Sequence, residues 1–223
     1  MRVLIDTLFP PLCLHCECKC PQLICKGCAP DFELIDPSSR CLFCFAENDG
    51  RRPCPECVQK KRWQIKIASA VDYQGAVSSL VKKLKYGKMP YLAKTAGALM
   101  LAQFFRLKWP IPDYIIPVPR RHWFQGMNHA ALIANSFAKS LQVPALPLVK
   151  RRAGDLSQAR LSKSQRERLS STCFYLKTSL PLEEKTLLLI DDVMTTGTTL
   201  RHCSEALVSA LPAHIYALTF ARS

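Results

Sequence analysis

The sequence lacks an apolar run of the roughly 18 residues that a membrane-spanning helix requires. It also lacks an export signal, because the apolar stretch after Met1 is broken by Asp6 and by the pair Pro10-Pro11. We therefore expect a cytoplasmic protein that does not insert into a membrane. Nearly half of the 223 residues (48%) are apolar, which predicts a packed core and not a disordered chain.

Acidic residues are scarce, with 17 Asp and Glu against 31 Lys and Arg and a formal charge of +14. Residues 1–66 carry ten basic and eight acidic side chains, whereas residues 67–149 carry ten and two, and residues 150–223 eleven and seven. The positive excess therefore lies in the C-terminal two-thirds. It indicates either a polyanionic ligand or a solvated basic surface, and the composition leaves both open.

Cysteine is almost absent after residue 57, where Cys173 and Cys203 are predicted to be small core residues. The other ten of the 12 cysteines precede residue 58, and eight of them form four Cys-x-x-Cys pairs, namely Cys13 and Cys16, Cys25 and Cys28, Cys41 and Cys44, and Cys54 and Cys57. Two such pairs complete one tetrahedral zinc site, and a region this small needs such a staple to fold. Spacers of eight and nine residues favour sequential pairing and two zinc ions. A crossed pairing, and disulfides or a redox pair in place of zinc, are the alternatives.

The composition changes near Arg62, which divides the chain into a double zinc ribbon at 1–62 and a second domain at 63–223. In the second part, strands are predicted at 65–73, 114–118, 187–190 and 215–220. Helices are predicted at 77–84, 92–107, 130–141 and 200–211, the last with the apolar stripe Leu200, Cys203, Leu207 and Leu211. This alternation, with an unbroken apolar run at 187–190, predicts an α/β domain built on a parallel sheet.

The most informative segment follows that apolar run, where two acids lead into a turn of threonines with one glycine. The predicted ribose-phosphate site is Asp191, Asp192, Val193, Met194, Thr195, Thr196, Gly197, Thr198 and Thr199. Backbone N–H groups, hydroxyls and a helix N-terminus suit a phosphate, and adjacent carboxylates suit the two hydroxyls of a ribose. The plain alternative is a strand that ends in solvated acids before an ordinary helix cap. An NTPase is excluded because the sequence has no GxxxxGK[ST] motif.

This segment resembles the signature of type I phosphoribosyltransferases, which bind phosphoribosyl pyrophosphate (PRPP). The resemblance implies that Asp191 and Asp192 hold the ribose hydroxyls as the catalytic pair, and that residues 195–199 hold the 5-phosphate. The segment 114–121 resembles the PVP turn of amidophosphoribosyltransferase-like members, so that Arg120 and Arg121 would bind the diphosphate. Mg²⁺ would accompany PRPP to neutralise the diphosphate oxygens. Ordinary surface charge is the alternative for the two arginines.

Residues 150–169 carry seven basic and two acidic side chains. In phosphoribosyltransferases the corresponding region is a mobile loop, which would close over PRPP and exclude water. A contact with single-stranded DNA, with Trp123 and Phe124 as stacking platforms, is a second interpretation. A solvated basic helix is the third.

A double zinc ribbon joined to such a domain resembles the ComF family of competence proteins, including its GntX-like members. The landmarks that carry this resemblance are 70–73, 84–86, 116–119, 126–128, Gln158, 161–162 and 191–199. The resemblance implies a protein that binds PRPP and Mg²⁺ and acts in DNA uptake during natural transformation. The ribbons would then dock an uptake helicase, another uptake protein or the incoming single strand.

Two other functions remain open at this point. One is an active phosphoribosyltransferase of nucleotide metabolism, which passes the phosphoribosyl group to a nitrogen nucleophile. The other is a protein that senses PRPP without turnover. The sequence therefore leaves open whether the protein is an enzyme.

Overall fold

The computed structural model describes residues 10–60, 64–120, 127–152 and 173–223. The strands in these ranges are β1 (Lys66–Asp72), β2 (Tyr114–Pro117), β3 (Val149–Arg151), β4 (Phe174–Leu176), β5 (Thr186–Met194) and β6 (His214–Arg222). The α-helices are α1 (Pro55–Gln59), α2 (Gly75–Tyr86), α3 (Leu92–Leu107), α4 (His129–Leu141) and α5 (Thr198–Val208). None of these helices combines the length and the apolarity needed to cross a membrane.

Four strands form a fully parallel sheet in the order β1-β6-β5-β2. The run 187–190 of β5 is at most 1% exposed, because the sheet is covered on both faces and an interior parallel strand meets no solvent. Helices α3 and α4 pack through an edge-to-face pair of Phe104 and Phe137, whose ring centroids are 5.7 Å apart. The predicted α/β class with a parallel sheet behind a small cysteine-rich part is confirmed.

Two elements differ from the sequence prediction by three or more residues at their C-terminal ends. Strand β5 continues to Met194, because β6 is long enough to pair with it through Ala221 and Arg222. The two acids therefore lie within the strand and not after it. Helix α5 ends at Val208, so the predicted stripe is right for three buried residues and wrong for Leu211, which is 67% exposed.

The cysteine-rich part covers the outer edge of β1. The Ile67 N–H donates to the Phe43 carbonyl at 2.8 Å, and the Ile35 N–H donates to the Ala70 carbonyl at 3.0 Å. Apolar side chains of this part, Leu14, Ile35 and Phe45, belong to the same buried cluster as the sheet. An edge strand that would otherwise expose unpaired backbone groups is thereby satisfied. The predicted domain boundary at Arg62 lies outside the described residues.

Candidate functional site

The cysteine sulfurs form two groups of four, Cys13, Cys16, Cys25 and Cys28 in one and Cys41, Cys44, Cys54 and Cys57 in the other. Within each group all ligand atoms lie within 4.8 Å of one another. The grouping is the sequential one that the spacers favoured. Four thiolates at such separations match the donor set of a structural zinc site, so the two groups suit two zinc ions. His15 is not in either group, and its Nδ1 lies 2.8 Å from the Ser79 hydroxyl.

The two groups share one local backbone design, which the sequence displayed only as repeated Cys-x-x-Cys pairs. Cys13 and Cys41 each begin a turn whose fifth residue, Glu17 or Phe45, has φ close to +60°. Backbone N–H groups point at the sulfurs, from Cys25 to Cys13 Sγ at 3.4 Å and from Cys54 to Cys41 Sγ at 3.2 Å. The N–H of Cys25 is the main reason why the pKa of Cys13 is lowered to about 5. N–H donors that stabilise thiolates are what a bound Zn²⁺ requires.

A crevice of about 310 Å³ opens at the carboxyl ends of β2 and β5, where parallel α/β sheets bind ligands. Its walls are Lys85, Tyr86, Val118, Pro119, Arg120, Asn128, His129, Ala130, Arg151, Asp191, Asp192 and Thr199. The N–H of Val118 donates to the Ile190 carbonyl at 2.9 Å, which holds the PVP turn beside the acids. Of the predicted residues, Asp191, Asp192, Thr199 and Arg120 therefore meet in one cavity.

The two acids of the crevice have different surroundings. The Lys85 Nζ lies 2.9 Å from Asp192 Oδ1, and this ion pair is partly buried. Burial, together with the neighbouring charge of Asp192, raises the pKa of Asp191 to about 7, although the Asp192 N–H and Lys85 oppose the rise. The Asp191 carboxyl of the crevice is therefore partly protonated near neutral pH.

The threonine turn follows β5 directly and begins α5. Gly197 occupies the position before the helix with φ +71°. The Thr196 and Thr198 hydroxyls lie 2.8 Å apart, and Arg201 donates to the Thr196 carbonyl at 2.7 Å. Thr195, Thr196 and Thr199 are exposed, so the turn before the N-terminus of α5 is open to solvent. This arrangement can receive a phosphate from outside.

Replacement of Gly197 by Ala is expected to lower the free energy of unfolding by about 1–2 kcal/mol, because a Cβ is unfavourable at positive φ. The new methyl would also lie 3.2 Å from Arg201 Nη1 and 3.4 Å from Ile67 Cδ1. Thermal unfolding measures the effect. Gly50→Ala is the matched control, since Gly50 also has positive φ but no atom within 4 Å of the added Cβ. A smaller loss at Gly197 than at Gly50 would contradict a crowded turn.

A second set of contacts ties the PVP turn to the start of α4. Arg120 donates to the Met127 carbonyl at 2.8 Å, and the Asn128 amide donates to the Val118 carbonyl at 3.1 Å. Asn128 also caps α4 by accepting from the Ala131 N–H. His129 is buried beside these residues, and burial followed by the charge of Arg120 lowers its pKa. This shift favours the neutral imidazole.

Several predicted residues lie outside the described residues, namely Arg121, Trp123, Phe124, Gln158, Leu161, Ser162 and most of the basic stretch. Sequence reasoning missed the crevice roles of Lys85, Tyr86, His129 and Arg151, which come from three different elements. The spacing of these residues along the sequence does not indicate that they lie in the same crevice. Lys85, Tyr86 and Asn128 were available only as family landmarks without an assigned contact.

The parallel sheet, the acid pair before a threonine turn and the two four-cysteine units define the class of the protein. It is an α/β protein of the phosphoribosyltransferase-like class with an N-terminal cysteine-rich unit suited to two zinc ions.

Sequence relatives narrow the class to a family. DNA utilization protein YhgH of Shigella flexneri is 30% identical over 165 residues, which cover 70% of this chain and 71% of the relative. Competence protein F of Haemophilus influenzae is 26% identical over 210 residues, covering 87% of this chain and 90% of the relative. No family model matches the chain. The chain belongs to the ComF family, to which the sequence landmarks pointed.

Solved structures with similar folds include an amidotransferase and a phosphoribosyltransferase. Glutamine PRPP amidotransferase from B. subtilis has a TM-score of 0.44 at 17% identity, over 62% of this chain and 30% of that protein. Adenine phosphoribosyltransferase from Saccharomyces cerevisiae has a TM-score of 0.36 at 17% identity, over 61% of this chain and 71% of that protein. The chain thus spans less than a third of the amidotransferase.

Proposed function

We propose that this protein binds PRPP with Mg²⁺ in the crevice and acts in the uptake and use of DNA. The observation that supports ligand binding most directly is the convergence of two acids, the PVP turn and the start of α5 on one cavity. The relatives named for DNA utilization and for competence support the biological role.

Each part of PRPP has matching chemistry in the crevice or in the threonine turn beside it. Asp191 and Asp192 accept hydrogen bonds from the ribose hydroxyls, while the residues 195–199 receive the 5-phosphate through hydroxyls and backbone N–H groups. Arg120, with Lys85 and Arg151 on the same walls, faces the diphosphate. Three cations against two carboxylates leave the crevice suited to a polyanion.

Mg²⁺ fits this donor set, because the carboxylates and the phosphate oxygens are the hard oxygen ligands that it prefers. When bound, it would neutralise the diphosphate oxygens and so make diphosphate a better leaving group. The protein residues would hold the ligand in place around it. The Lys85–Asp192 ion pair would have to rearrange if either partner turned toward the ligand.

Phosphoribosyl transfer is the second candidate, and His129 is the observation that favours it. A neutral imidazole on the crevice wall can accept the proton that a nitrogen nucleophile loses during transfer. In the sensing alternative, PRPP binds and no bond is broken. The cysteine-rich part would dock an uptake helicase or another uptake protein, and exposed Leu12 and Val58 offer apolar contacts on it.

Titration of the protein with PRPP and Mg²⁺ in a calorimeter tests the proposal. We expect saturable binding in the roughly 1 μM to 1 mM range that is usual for enzyme substrates. Diphosphate release is then followed with and without single-stranded DNA and with nucleobases. Salt-sensitive DNA binding without release supports the uptake role. Release that needs only a nucleobase supports transfer in metabolism, and absence of any PRPP binding contradicts the proposal as a whole.

A further inference from the structure

The turn between α2 and α3 concentrates positive charge and exposed aromatic rings beside the crevice. We name residues 82–94 the α2–α3 corner. It contains five lysines, at 82, 83, 85, 88 and 94, and no acid. Tyr86 is 73% exposed and Tyr91 is 56% exposed, although tyrosines usually bury their rings. Both features of a surface that binds single strands, namely cations and free rings, are therefore present in 13 residues.

The backbone of the corner forms a turn with one residue in the left-handed conformation. Helix α2 ends at Tyr86, and Lys88 adopts the left-handed conformation with φ +52°, whereas Gly87 before it does not. A lysine at positive φ costs about 1 kcal/mol more than a glycine would. The Tyr91 hydroxyl donates to Met89 Sδ at 3.4 Å, which restrains the second ring. Lys88 is thus exposed at a turn position where a glycine would cost less.

The corner is continuous with the crevice, since Lys85 and Tyr86 belong to both. Resting on the proposed function, we propose that the α2–α3 corner is the surface that binds single-stranded DNA. Lys82 and Lys88 contact phosphates, and bases stack on Tyr86 and Tyr91. The two tyrosines are five positions apart in the sequence, so their Cα atoms are at most about 17 Å apart. A few unstacked nucleotides cover that span, and the next sugar would reach the mouth of the crevice.

A single strand fits better than the other polyanions. Unpaired bases offer the two exposed rings a flat partner, whereas a duplex hides its base faces in the stack. An anionic bilayer also attracts lysines and tyrosines, but it cannot follow the surface into a concave crevice lined for a ribose phosphate. The chemistry of the corner and that of the crevice therefore point to the same kind of polymer.

Binding of a fluorescent oligo-dT, measured by anisotropy over a range of salt, tests the assignment. The double variant Lys82→Gln/Lys88→Gln is compared with Lys139→Gln/Lys177→Gln, which removes the same charge from exposed positions elsewhere. We expect the slope of log affinity against log salt to fall by about 1.4 in the first variant, or about 0.7 for each lost phosphate contact. The control slope stays at the wild-type value.

Loss of a stacked base should weaken DNA binding without a change in its salt dependence. Tyr91→Ala is expected to weaken oligo-dT binding about tenfold, as for loss of one base stack, with the salt slope unchanged. Phe105→Ala is the control, since Phe105 is also an exposed ring (58%) but lies at the far end of α3. Equal losses in both variants overturn the assignment.

The outcomes separate this inference from the function on which it rests. Lys82, Lys88 and Tyr91 do not line the crevice, so their variants retain wild-type affinity for PRPP and Mg²⁺. If the wild type binds DNA and no corner variant weakens that binding, only the assignment of the DNA surface to the corner is overturned. A wild-type protein that binds PRPP but neither oligo-dT nor oligo-U overturns the corner and removes the DNA role. Binding to anionic phosphatidylserine vesicles without binding to either oligonucleotide also overturns it.

Discussion

Asp191→Asn is expected to make the ligand-free protein more stable at pH 8 while it weakens PRPP binding on the order of 100-fold. The pKa of Asp191 is raised to about 7 by burial and by the charge of Asp192. The folded state therefore holds a proton that the unfolded state releases near pH 4, and the free energy of unfolding falls as pH rises between about 4 and 7. Asparagine removes that penalty. We expect a gain of about 2 kcal/mol and a Tm about 5 °C higher at pH 8, vanishing near pH 4.

The affinity for PRPP has the opposite dependence on pH from the stability of the ligand-free protein. A carboxylate accepts from ribose hydroxyls through charge-assisted bonds worth about 1.5–3 kcal/mol each, and a protonated carboxyl or an amide loses most of that. PRPP affinity of the wild type should therefore rise as pH increases through 7. The affinity of Asp191→Asn should be low and show no such rise. The buried carboxylate of Asp191 thus lowers the stability of the ligand-free protein and raises its affinity for PRPP, as functional carboxylates in buried crevices do.

Asp113→Asn is the matched control, since Asp113 lies at the opposite end of the same sheet. The Thr186 N–H, which donates to Asp113 Oδ2 at 2.8 Å, is the main reason why the pKa of Asp113 is lowered, with Lys185 adding to the effect. This carboxylate stabilises the fold above its unfolded pKa, and the contribution is lost as pH falls through the folded value. Asp113→Asn should therefore lower Tm at pH 8 and leave PRPP affinity unchanged. If Asp191→Asn also lowered Tm at pH 8, the raised pKa would be wrong.

The parts of the fold that the sequence predicts best are those with local causes. The apolar run 187–190 and the helical faces of α2 and α3 depend only on the local pattern of apolar residues, and the structure contains each of them. The four-cysteine groups likewise follow from the spacing of Cys-x-x-Cys pairs. The end of α5 was placed too late, because the apolar period at Leu211 continues past the point where the backbone leaves the helix. Periodicity identifies a face more reliably than a terminus.

The parts that could not be predicted depend on contacts between distant segments. Lys85 reaches Asp192 across more than 100 residues, and only the strand order brings the end of α2 to the end of β5. The extension of β5 through the acids is set by its partner β6 and not by its own residues. The contacts of Ile35 and Phe43 with β1 also join distant segments. No local sequence pattern predicts which edge of a sheet a neighbouring unit will cover.

Cys57→Ala is expected to lower the zinc content from about two ions per chain to about one, and to unfold the second cysteine unit. A structural zinc ion contributes apparent binding free energies of about 10–16 kcal/mol, comparable to the whole stability of a domain. Cys57 is fully buried among its group, so no solvent ligand replaces it easily. Loss of the unit would release the bond from the Ile67 N–H to Phe43 and the bond from Arg222 to the Cys44 carbonyl. Amide exchange should then rise at β1, on the edge of the sheet.

Two further variants test which part of the fold each cysteine group stabilises. Cys28→Ala should remove the other zinc ion. The cysteine unit that contains Cys28 contacts α2 through Asp31, which accepts a hydrogen bond from the Ala76 N–H at 2.7 Å. Amide exchange should therefore rise at the start of α2 and not at Ile67. Cys20→Ala lies outside both groups and should retain two zinc ions and the wild-type exchange pattern. Because the cysteine-rich part shares its apolar cluster with the sheet, each lost ion should also lower the Tm of the whole chain. Retention of two zinc ions by Cys57→Ala, or a folded protein that binds no metal, would show that the cysteine groups serve another purpose.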